Sequence, residues 1–412
     1  MDNNQNNFRN GNGEKEEIRF DERDFQNPYS KYYSQSSGDS SQSTDSDFGN
    51  PYSRYYNNSD TNQNGGDRTE SEPIDFGTYN RPGKTYLELQ KDKKNFSRIG
   101  FGYALFSIIT FAVSLIIANV VYRINSDVYN STLFMNALTP IALYIFALPV
   151  LLILLSGSEA KPPEKRKMKV GTWFVILIVA FGCMYIGSYI GNFVMAYLSS
   201  LMNYDYSNAL ETIIDENSLW ITAIFTVIVA PIGEEFVFRK LIIDRTQKYG
   251  AFVSIGLSAL MFGLMHGNFY QFFYCFALGI ILGYIYYSTG NLFATIAMHA
   301  AINFVGGILS SLLQSVLDGL ISLDTTDAEA VSEFVMDNAL GIIGMSVFSL
   351  FVFASMICAV VLPIVFRKKL DLPRGSDELP RSRVFNTVIV NAGVITMLAV
   401  YLFEFGLNLL PF

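Results

Sequence analysis

The sequence predicts an all-helical, polytopic membrane bundle of about nine spans behind a disordered amino-terminal tail. Three observations predict it. The 412-residue chain is 50% hydrophobic and only 16% charged, which is poor in charge for a soluble protein. The bias is segregated: residues 1–98 are rich in Asn, Ser, Asp, Gly and Tyr, whereas nearly everything after Ile99 is apolar. The apolar part divides into windows of about 20 residues, the length at which a helix crosses a bilayer.

The tail (1–98) has too little hydrophobic material to form a core. It lacks an apolar signal-peptide region, so the first hydrophobic helix is expected to act as the targeting signal. Asp24-Phe25-Gln26-Asn27-Pro28-Tyr29 recurs as Asp47-Phe48-Gly49-Asn50-Pro51-Tyr52, and Asp75-Phe76-Gly77 echoes both. Duplication within a low-complexity linker explains this; so does a repeated motif whose tyrosines dock on a protein partner.

From Ile99 the expected spans are 99–122, 134–155, 171–198, 218–246, 251–267, 270–288, 291–316, 338–366 and 385–409. Loop charge sets their direction. Lys91, Lys93, Lys94 and Arg98 flank the first span, Lys161–Lys169 follow the second, Arg239–Lys248 follow the fourth, and Arg367–Arg374 follow the eighth. The loops with Asp205, Glu211, Asp215 and Glu216, and with Asp318, Asp324, Asp327 and Glu329, are acidic. By the positive-inside rule the amino terminus is cytoplasmic in a multi-pass protein of the cell membrane. The net charge of −8 belongs to tail and loops, and no basic stripe suggests nucleic acid. Cys183, Cys275 and Cys358 all lie in apolar segments and are expected to be reduced packing residues.

The chemistry concentrates in a short stretch. The only two histidines, His266 and His299, lie in apolar runs, downstream of Glu234, Glu235 and Arg239. Ionisable groups at membrane depth face a bundle interior or a wet cavity and usually mark function. Adjacent helical residues point about 100° apart, so only one glutamate faces a given cavity. Glu235 and Arg239, at i and i+4, share a face and are expected to pair; Glu234 is left as a candidate base. Gly250 is the expected turn. Glu234 lies 16 residues before it and His266 lies 16 after it, so a helical hairpin sets both about 24 Å from the turn, at one depth. Phe262, four before His266, is expected to wall that pocket. His299 and Asn303 share a face and carry donors suited to an oxyanion; the plain alternative is an interhelical polar clamp. His299 is only nine residues past the turn at Gly290, so a helix here must be tilted, broken or re-entrant for the depths to agree. The histidines are 33 residues apart, which excludes an H-E-x-x-H zinc helix. Cys275, buried in apolar surroundings, is a weak nucleophile.

Taken in order, Glu234-Glu235-x-x-x-Arg239, Phe262-x-x-x-His266 and His299-x-x-x-Asn303 resemble the motifs of the CPBP family, which comprises CAAX-processing endopeptidases and bacteriocin-processing or bacteriocin-immunity proteins (Abi). The resemblance covers about residues 215–310. It implies an all-helical membrane bundle with a cavity open to the cytosol, Glu234 and His266 activating water, and His299 and Asn303 binding the scissile carbonyl. Glu235 and Arg239 then hold the helix that presents Glu234. No cofactor is favoured; the alternative is zinc on Glu234, His266 and His299, as in a metalloprotease. The reading is an intramembrane endopeptidase acting on hydrophobic, lipidated (CAAX-type) or leader-peptide substrates. The rival is a non-catalytic membrane scaffold, or an immunity protein, that regulates a partner.

Overall fold

The apolar windows form helices because no backbone polar group can be left unpaired in lipid. In the computed structural model, which describes residues 84–204, 206, 219–370 and 372–410, they are α1 (Tyr86–Ile124), α2 (Thr132–Leu155), α3 (Val170–Met202), α4 (Leu219–Tyr249), α5 (Ala251–Leu264), α6 (Phe269–Thr289), α7 (Leu292–Ser322), α8 (Ala339–Val365), α9 (Arg381–Ile389) and α10 (Ala392–Leu407). Among the described residues, seven helices are long and apolar enough to cross a membrane. The α9–α10 pair, bent by 65°, makes an eighth if it is one span. The expected fifth span is realised as the 14-residue α5, about 21 Å long and short of the ~30 Å hydrocarbon core.

One expected boundary moves. Helix α1 begins at Tyr86 rather than after residue 98, because its first turns pack inward. Phe96 is fully buried and lies 4.8 Å from the Tyr249 ring, while Asp92 accepts a 2.9 Å hydrogen bond from the Tyr249 hydroxyl. Residues 1–83, with the tyrosine repeats, lie outside the described residues, as do Asp205, Glu211, Asp215 and Glu216.

The basic segments meet at one end of the bundle. Ser158 donates to Asn95 of α1, and the amides of Lys161 and Arg166 donate to the carbonyls of Asp244 and Thr289. The amide of Asp377 donates to Lys248 O, and the Tyr287 hydroxyl donates to Pro373 O. Gly250, at φ +98°, makes the tight α4–α5 turn there, in a conformation that L side chains rarely adopt. Asn268 and Asn291 cap α6 and α7 by accepting from the amides of Gln271 and Ala294, as expected of Asn at an N-cap. Helix α6 packs along both α3 and α5, so the α4–α5 hairpin is held from behind.

Helix α4 is not a regular α-helix. It carries Pro231 between two π-helical segments, Ile224–Val229 and Glu235–Lys240, and α7 becomes π-helical at Phe304–Leu309. π-Segments free carbonyls from the normal ladder and recur at functional sites. Two carbonyls of the 235–240 segment are taken by side chains: Tyr103 donates to Val237 O at 2.5 Å and Ser258 to Phe238 O at 2.8 Å. The interruption that the unequal depths of His266 and His299 required is therefore present.

Candidate active site

The two glutamates divide as their helical angle requires. Glu235 and Arg239 are fully buried, with Arg239 Nε 3.1 Å from Glu235 Oε2. The contact is close but not aligned as a hydrogen bond, and the two outer nitrogens of Arg239 have no hydrogen-bond partner among the described residues. The guanidinium instead lies over the Phe262 ring, 4.3 Å from its centroid, an arrangement worth ~2 kcal/mol when desolvated. Glu234 turns the other way, into a cavity of about 550 Å³ that is also lined by His266.

His299 connects the two faces. Its Nδ1 lies 3.0 Å from Glu235 Oε1 and its Nε2 lies 3.7 Å from Glu234 Oε2. One imidazole thus spans the angle between adjacent glutamates, which sequence reasoning did not foresee. An ionised carboxylate only accepts, so Nδ1 donates to Glu235. Phe262 differs from expectation. It is 1% exposed and, rather than walling the cavity, is wedged edge-on between the imidazoles, 5.2 Å from His266 and 5.6 Å from His299.

His266 lies in the turn just past the end of α5 and is fixed by a 2.9 Å bond from its Nδ1 to Phe262 O. A carbonyl can only accept, so Nδ1 carries the hydrogen and Nε2 is the acceptor. Cys275 Sγ approaches that nitrogen to 3.4 Å, a contact the sequence did not suggest. Asn303 donates from Nδ2 to Thr226 O at 2.8 Å, where the carbonyl belongs to the first π-segment and Thr226 lines the cavity. Its amide carries a second hydrogen. The structure thus brings Glu234 and His266 onto one cavity, sets His299 directly behind Glu234, and ties Asn303 to the wall beside them.

Gly233 makes room for a further wall residue. A Cβ at this position would overlap the Tyr144 ring, and Tyr144 lines the cavity. No sequence pattern marks Tyr144. Glu404 of α10 also lines the cavity and did have a signal: it is the only Asp, Glu, Lys, Arg or His in the apolar run 385–409. For zinc, the donors in question are Glu234 and the Nε2 atoms of both histidines, whose Nδ1 atoms are each held by an oxygen as in many metal sites. Among the described residues no three His, Cys, Asp or Glu side chains gather closely enough to hold an ion, so the donors do not fit a metal as they stand.

Fold and site together define a polytopic membrane protein with an acid–base cavity among its helices. Residues 216–305, about a fifth of the chain, match the family model described as type II CAAX prenyl endopeptidase, Rce1-like, and in this segment the chain is similar to the CAAX-protease (CPBP) family. It is a family of proteases. No curated protein and no solved structure matches the chain.

Proposed function

We propose that this protein is an intramembrane endopeptidase that hydrolyses peptide bonds of membrane-associated substrates, lipidated or leader peptides among them, with water activated by Glu234 and His266. One observation carries the reading. Of all the motif residues, the two suited to take a proton from water line the cavity, while Glu235, Arg239 and Phe262 are sealed behind them. Water in the cavity gives a proton to Glu234, and its oxygen attacks the scissile carbonyl carbon. The second amide hydrogen of Asn303, together with His299, stabilises the oxyanion. As the C–N bond breaks, the proton passes from Glu234 to the leaving nitrogen, with His266 Nε2 as the neighbouring proton acceptor. The buried pair Glu235–Arg239 holds His299 and, through it, Glu234.

The gathering of basic loops at one end supports a cytoplasmic amino terminus. To test the function, membrane and secreted peptides are compared by mass spectrometry between cells carrying the native chain and cells carrying Glu234→Gln. The reading expects a cleavage product that vanishes with the variant. Identical peptide sets with equal amounts of inserted protein would overturn it.

A further inference from the structure

An oxyanion is held by converging donors, and Asn303 has one of its two amide hydrogens committed to Thr226 O. A further donor stands on α2, outside the matched segment 216–305. Helix α2 holds Pro140 and is π-helical just after it, at Ile141–Ala147. The π-segments of α4 and α7 contain or directly follow Thr226, Glu234 and Asn303; the segment in α2 contains Tyr144. Such segments recur at functional sites. Asn136, about two turns before Tyr144, donates from Nδ2 to the Thr222 hydroxyl at 3.4 Å, which ties α2 to the start of α4.

Tyr144 reaches the motif because residue 233 is glycine. A Cβ there would overlap Cζ, Cε1 and the hydroxyl oxygen of Tyr144, so the phenol end of the ring lies on the α4 backbone one residue before Glu234. Tyr144, Glu234 and His266 line the same cavity. The Tyr144 hydroxyl makes no hydrogen bond among the described residues. Tyr401 lines this cavity too, but its hydroxyl is sealed without a partner; that of Tyr144 is open. A phenol keeps its proton at neutral pH, so it donates and does not act as the base. With no acceptor in the protein, this donor is free for one that arrives with the substrate. When water adds to the scissile carbonyl, the atom that gains charge is the carbonyl oxygen. Resting on the endopeptidase reading above, we propose that Tyr144 is a further catalytic residue. Its hydroxyl donates to the scissile carbonyl oxygen and holds the oxyanion together with Asn303 and His299, and the absent side chain at Gly233 lets it in.

The test uses the full chain in lipid nanodiscs and a library of lipid-anchored fluorogenic peptides. A phosphonate isostere of the peptide cleaved fastest serves as a stable tetrahedral anion. Tyr144→Phe keeps the ring and its packing. It is expected to lower kcat by about 10²-fold, as loss of one oxyanion donor does, with KM and melting temperature unchanged. Affinity for the phosphonate is expected to fall by the same factor as kcat/KM, because the contact is made only in the transition state. Gly233→Ala displaces the ring and is expected to lower kcat by at least about 10²-fold. A kcat within about threefold of native in either variant would overturn the assignment while leaving the endopeptidase standing. So would a lower kcat with unchanged phosphonate affinity, or a loss in Tyr144→Phe matched by a fall in melting temperature. Cleavage of no peptide in the library, or cleavage that survives Glu234→Gln, would remove the endopeptidase reading and this assignment with it.

Discussion

Glu234 and Glu235 are neighbours in the chain and have the same side chain, yet the structure gives them opposite environments. Glu235 is fully buried between Arg239 and His299; Glu234 opens onto a cavity that can admit water and a substrate. The difference teaches that in a membrane bundle the packing around a carboxylate decides its task. A sealed, neutralised carboxylate is a structural part, and an accessible one is free for chemistry. His299 belongs to both regions, and that makes it the link through which the sealed cluster acts on the open one.

The largest effect expected on the sealed side is at Glu235. Glu235→Gln leaves Arg239 charged and buried without its counter-ion, a loss of about 3–5 kcal/mol for a broken buried pair. Thermal unfolding in detergent and membrane yield report it. If Glu235→Gln is as stable as the native chain and merely inactive, the division between the two glutamates is wrong. Next come Asn303→Ala and His299→Gln, each expected to lower kcat by about 10²–10³-fold as lost oxyanion donors. Their double variant should lose less than the sum, as groups acting on one intermediate do. If Asn303→Ala instead lowers stability by about 1 kcal/mol and leaves kcat within a fewfold, Asn303 is only the clamp on Thr226.

A smaller effect is expected at Phe262. Phe262→Leu removes the ring beneath Arg239 and between the imidazoles, costing up to ~2 kcal/mol of cation–π contact, and is read by unfolding. An unshifted melting curve would mean that the ring is filler. Least of all should follow from deleting residues 1–85, which keeps Lys91–Arg98 and all of the site. Cleavage of a short membrane peptide should stay within about twofold. Loss of insertion or of activity would show that the tail belongs to the working bundle.

The sequence made the fold legible because apolar windows and basic loops are strong signals. Gly250 marked the α4–α5 turn correctly, and equal spacing about it pointed to Glu234 and His266 at one depth, where both line one cavity. The i, i+4 pair Glu235–Arg239 was likewise readable. Three features were not. The length of α5 was hidden because the apolar run continues to His266, beyond the helix end at Leu264. The π-segments of α4 leave no trace in hydropathy, so Asn303's bond to Thr226 and the reach of His299 to both glutamates are visible only in the fold. Phe262 shares a helical face with His266, but periodicity cannot say that Arg239 of another helix covers it. Glu404 was readable in principle, as a lone charge in an apolar run, although 170 residues separate it from Glu234.

The central claim is that Glu234, on the open side, supplies the base. Its direct test is single-turnover cleavage of a membrane-anchored peptide by purified native and Glu234→Gln protein, with melting temperatures and metal content measured on the same samples. A rate loss of about 10²–10⁴-fold at unchanged melting temperature is the predicted result. A loss below about tenfold would contradict it. So would stoichiometric zinc whose removal and return switch activity off and on, since Glu234, His266 and His299 would then be ligands.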